Sequence, residues 1–61
     1  MTNYEIAKKA NSIARQIVEQ TKWLKNDTRY GYDSRAKYEA QDIAEMCVEL
    51  QNLVLPIRLS N

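Results

Sequence analysis

The sequence predicts an all-α fold, an antiparallel two-helix hairpin that dimerises into a four-helix bundle, and three observations lead there. Glycine and proline occur once each, as Gly31 and Pro56, too few turn residues for a multi-stranded sheet. Apolar residues recur in alternating steps of four and three in two stretches, separated by one stretch without period. Finally, a 61-residue chain with one cysteine and no histidine has neither a disulfide nor a zinc ligand set to compensate for a small core. Self-association is the remaining route to burial.

The first helix is expected at about residues 3–25. Thr2 and Glu5 stand three apart, the spacing of a capping box, in which a hydroxyl meets a first-turn amide and a carboxylate reaches back. Ile6, Ala10, Ile13, Ile17 and Leu24 then mark one seam, with Gln20 completing the heptad alternation. A second row, Ala7, Ala14, Val18 and Thr21, lies about a quarter turn away and widens the apolar arc beyond what one neighbouring helix covers.

Residues 26–34, Asn-Asp-Thr-Arg-Tyr-Gly-Tyr-Asp-Ser, lose the period and gather turn formers, and are expected to form the loop. Asp33 or Ser34 can cap the second helix, which is expected over about 34–54 with its seam at Ala36, Ala40, Ile43, Cys47, Leu50 and Val54. Pro56 stops it, because proline lacks the amide donor and restricts the residue before it. Residues 55–61 form an apolar tail, and the whole chain is one domain.

Two helices of roughly 20 residues joined by a short connection pack antiparallel, and a hairpin of this kind leaves each stripe open on one side. Pairing two hairpins buries both sets, so Ile6, Ile13, Ile17, Val18, Leu24, Ile43, Cys47, Leu50 and Val54 are expected to form the core and the dimer contact. Cys47 falls in the middle of this seam, where a cysteine acts as a small hydrophobe.

Composition narrows the function classes. With 28% charged residues and net charge +1, the chain is neither a polyelectrolyte nor a strongly basic nucleic-acid binder. No apolar run approaches the roughly 20 residues that span a bilayer, and the start lacks the apolar core of a signal peptide, so a cytoplasmic location without membrane contact is expected. Without histidine, nucleophile elbow or phosphate-cradling glycine loop, no catalytic residue, cofactor or metal site is expected. Glu39, Asp42, Glu45 and Glu49 lack the Glu-x-x-His pairs of a di-metal bundle.

Two surfaces could carry binding. From Lys22 to Tyr38 five bases outnumber two acids, with aromatic residues among them. Arg29, Tyr30, Tyr32, Trp23 and Arg35 are the expected partner-binding residues, because exposed arginines and flat rings dominate binding energy once buried. The rival is the acidic stripe of Asp42, Glu45 and Glu49, within a stretch from Glu39 to Val54 that holds four acids and no base. The expected partner is another protein, whose activity the chain modulates. The alternative is a small nucleic-acid-binding accessory protein using Lys22, Lys25, Arg29 and Arg35, although a local excess of three positive charges is a weak footprint for a polyanion.

In size, in its seams from Ile6 to Leu24 and Ala36 to Val54, and in its lack of catalytic residues, the chain resembles the small helical accessory proteins that temperate phages of the lambda type carry in early regions. The resemblance implies a modulator that binds a host protein in the host cytoplasm during infection, and it transfers no functional residue.

Overall fold

A computed structural model describes residues 2–57 of the chain. The capping box forms as its spacing requires: the Glu5 amide donates to Thr2 Oγ1 at 3.2 Å, and the Thr2 amide donates to Glu5 Oε1 at 3.4 Å. Helix α1 runs Asn3–Arg29, one turn beyond the expected end. The reason lies in the seam, since three residues after Leu24 the next inward position is Asp27. That residue is 4% exposed, and Arg35 Nε of the second helix lies 3.6 Å from its Oδ2.

The connection therefore shrinks from nine expected residues to Tyr30, Gly31 and Tyr32. The Tyr32 amide donates to the Asp27 carbonyl at 2.8 Å and the Gly31 amide to the Thr28 carbonyl at 3.2 Å. These are the two bonds of a Schellman motif, which needs a left-handed residue where Gly31 sits, with φ +77°. Glycine adopts that conformation without a Cβ clash. A three-residue turn holds α1 and α2 antiparallel, as two helices of this length with a short connection led one to expect.

Helix α2 runs Asp33–Val54 and ends where Pro56 requires. Its expected side-chain cap is absent: Tyr32 occupies the N-cap and makes no side-chain cap bond, while the Ala36 amide donates to the Tyr32 carbonyl at 2.9 Å. Asp33 instead falls inside the first turn, where its carboxylate still meets the positive end of the helix dipole. Of the expected tail, Ile57 is half-buried and Leu55 is exposed; residues 58–61 lie outside the described residues.

The α1 seam is the expected one: Ile6, Ala10, Ile13, Ile17, Gln20 and Leu24 are buried or half-buried, and Asp27 continues the series. The α2 seam differs. Ala36, Ile43 and Leu50 turn inward as expected, but the positions between them are Glu39, Met46 and Leu53, continued by Ile57. Ala40, Cys47 and Val54 are exposed, so their assignment to the hairpin core is corrected; Val18, expected in the row beside the α1 seam, is 56% exposed and adds nothing to the hairpin core. Both rotations keep the shared three residues inside. The observed one turns Met46, Leu53 and Ile57 toward α1 in place of Ala40, Cys47 and Val54, and so removes more apolar area from water. It also draws Glu39 into the seam. Ile13, 5% exposed, is the one buried apolar residue among those described.

The heptad register orders the surface of the two helices. Taking the seam as positions a and d, the e positions are Ala7, Ala14 and Thr21 on α1 and Ala40, Cys47 and Val54 on α2. In an antiparallel pair the two e rows flank the seam on the same side, because both helices are right-handed and run in opposite directions. The g rows, Lys9, Gln16 and Trp23 with Arg35, Asp42 and Glu49, flank the other side. Every side chain in the e rows is small and uncharged, whereas the g rows carry four of the charges.

Candidate functional site

The loop end gathers most of the residues that the sequence singles out for binding. Arg29 is the last residue of α1, Tyr30 caps it, Tyr32 precedes α2, and Arg35 lies in the first turn of α2. Tyr30 and Tyr32 are 65% and 52% exposed. Each ring is paired with a guanidinium: Arg29 Cζ lies 5.9 Å from the Tyr30 centroid and Arg35 Cζ 5.3 Å from the Tyr32 centroid. Such stacking is worth about 0.5–1 kcal/mol at exposed sites, and it presets the side chains.

Beneath this surface lies a polar seam that sequence reasoning missed. Arg35 Nε sits 3.6 Å from Asp27 Oδ2, with Arg35 exposed and Asp27 buried. Glu39 comes in beside Asp27, and a hydrogen bond between two carboxyl groups needs a proton on one of them. That bond, then burial, then the Asp27 charge hold the Glu39 carboxyl above its usual range, while the Arg35 charge pulls the other way. Asp27 Oδ2 and Glu39 Oε2 are both buried without a hydrogen-bond partner. The signal for Asp27 was present in the sequence, since it follows Leu24 at the seam's next step of three. Its charge and its turn-rich surroundings concealed it.

Trp23 does not join the loop cluster. It lies about 9 Å down α1 from Arg29 at 1.5 Å per residue, 47% exposed, in the same flanking row system as Arg35 and Asp42. The rival acidic residues Asp42, Glu45 and Glu49 are exposed along one line of α2, and Arg35 and Tyr38 continue that line toward the loop. The two candidate surfaces thus adjoin on the charged side of the hairpin.

Elsewhere the surface is shallow. One groove runs along α1 between Asn11, Ala14, Arg15, Val18 and Glu19, and another along α2 between Gln41, Ala44, Glu45 and Val48; neither encloses a ligand. Among the described residues no three side chains of the His, Cys, Asp and Glu types converge as a cation site needs, and no helix is long and apolar enough to cross a membrane. No family model matches the chain, and neither a curated protein nor a solved structure matches it.

Proposed function

We propose that the chain is a small non-catalytic interaction module, two hairpins joined as a four-helix bundle, that binds another protein through its loop end and thereby modulates it. One observation carries this reading: Arg29, Tyr30, Tyr32 and Arg35 stand exposed and already stacked around a three-residue turn locked by two backbone hydrogen bonds. A surface ordered before binding loses little conformational entropy on association, which is the usual cost of using loop side chains. Modulation of a host protein is the role that the resemblance to phage accessory proteins implies, and a partner of that kind meets the requirement for rings and guanidiniums.

The test is affinity capture on the immobilised chain beside a variant in which Arg29, Tyr30 and Tyr32 are all alanine. The expected outcome is a captured protein that the variant loses, a weakening of more than ~2 kcal/mol for a hot spot, with helicity unchanged. Equal capture by both, lost instead on charge reversal of Asp42, Glu45 and Glu49, moves the site to the acidic stripe.

A specific observation supports the second reading, nucleic-acid binding. Lys8, Arg15, Lys22 and Arg29 recur every seven residues along the outer line of α1, all exposed, with Lys25 beside them. Oligonucleotide affinity that falls steeply with salt would favour it.

A further inference from the structure

Three groups at the loop end compete for one guanidinium. Arg35 Cζ lies 5.3 Å from the Tyr32 centroid and Arg35 Nε lies 3.6 Å from Asp27 Oδ2, while Glu39 stands four residues further along the same helix. Tyr32, three residues before Arg35, and Glu39, four after it, share one face of α2 and lie on opposite sides of Arg35 along the axis. The guanidinium can lean toward the loop or toward Glu39, but not both at once.

Charge decides between the two positions. Asp27, buried, and Glu39, half-buried, share a hydrogen bond that needs one proton, so the pair carries a single negative charge, which Arg35 balances. Without that proton the pair carries two, and one of them has no counter-charge. The charged groups acting on Glu39 are Asp27 from α1 and Arg35 and Asp42 from α2, so Arg35 is the one cation among them. A buried charge without a counter-ion is costly, and Glu39, the less buried of the two acids, is the one able to turn out toward water. There its carboxylate meets the Arg35 guanidinium as an i, i+4 ion pair on the helix surface.

We propose that Arg35 is a two-position latch on the loop-end surface, set by the proton that Asp27 and Glu39 share. With the proton in place the guanidinium stays on the Tyr32 ring; once the proton leaves, the guanidinium moves along α2 to Glu39 and uncovers that ring. Its consequence rests on the loop-end binding reading above: a partner that takes the stacked Arg35 and Tyr32 pair binds the protonated state, and by linkage it tightens the hold on the proton in turn. The neighbouring pair of Arg29 and Tyr30 lacks this control, since among the described residues Arg29 makes no ion pair. One stack of the exposed cluster is thus switchable and the other is fixed.

The test is a pH titration of the full chain by NMR, following the Glu39 carboxyl carbon and the ring protons of Tyr32 and Tyr30. No partner is present, so failure of the latch is distinct from failure of the loop-end reading, which partner capture decides. The expected result is a Tyr32 shift with the same midpoint as Glu39, above the ordinary carboxyl value of 4.5, while Tyr30 stays flat. A phenol titrates near ~10, so a ring response in the carboxyl range reports a neighbour. Glu39→Gln should abolish the Tyr32 step; a step that persists belongs to Asp33 or Asp42 and overturns the proposal. Asp27→Asn removes the buried charge and supplies an amide donor, so the Glu39 and Tyr32 midpoints should fall together. A Tyr32 ring that stays flat in the unmutated chain while Glu39 titrates overturns the latch, and so does a Tyr32 midpoint that stays in place when that of Glu39 falls.

Discussion

The two sides of the hairpin flank the same seam at the same distance, yet they are built from opposite materials. On one side stand Ala7, Ala14, Thr21, Ala40, Cys47 and Val54; on the other stand Lys9, Gln16, Trp23, Arg35, Asp42 and Glu49. The seam itself cannot explain the difference, because flanking positions are equally wet in an isolated pair. A row of small uncharged side chains is suited to close contact with another helix, whereas a row of long charged groups and one tryptophan stays compatible with water. The contrast teaches that small uncharged side chains and long charged ones are segregated to opposite flanks of one seam, as the proposed bundle with a loop-end site requires.

The sharpest way to break the contrast is a matched pair on α1, Ala14→Glu and Gln16→Glu, two residues apart on opposite sides. Ala14→Glu places a charge in the proposed contact and should lower stability by about 2 kcal/mol or more with loss of dimer mass in sedimentation. Gln16→Glu should stay within about 0.5 kcal/mol. Equal effects would erase the distinction between the sides.

A smaller effect is expected at the turn that both sides share. Gly31 has open space where a Cβ would stand, so Gly31→Ala meets no clash with a neighbour and isolates the backbone cost of φ +77°. That cost is about 1 kcal/mol, read as a lower denaturation midpoint with unchanged slope. An unchanged midpoint would show that the Schellman turn does not fix the loop end.

The smallest effect is the pH dependence of the polar seam beneath the charged side. Glu39 holds its proton to higher pH in the folded chain than its ordinary value of 4.5, so the folded state binds more protons as that range is crossed. The contribution is fully present below the ordinary value and is lost as pH rises through the raised one. Stability should therefore decline across that window, and Glu39→Gln, which keeps a hydrogen-bond donor toward Asp27, should flatten the decline. A stability curve that rises with pH there, or a decline of equal size in the variant, would remove the carboxyl pair from the account.

Much of the architecture was legible because helical period and capping are local. Thr2 with Glu5 placed the start of α1, Ile6 to Leu24 placed its seam, and Pro56 placed the end of α2 within its last turn. Most of the loop-end cluster was legible for a simpler reason: Arg29, Tyr30 and Tyr32 belonged to no periodic position and so had no other employment.

The sequence by itself determined the helices and the residues left outside their seams at the loop end, since spacing, capping and turn chemistry act over a few residues. Only the tertiary structure decided the rotation of α2 and the length of α1. Ala36, Ile43 and Leu50 fit two seams that differ by one residue in every step, and that choice depends on how much area each set buries against α1, a property of the pair. The contacts of Arg35 and Glu39 with Asp27 likewise form only once the chain has folded back. Cys47 and Val54 thereby moved from the hairpin's interior to its open side, where Ala7, Ala14 and Thr21 already lay.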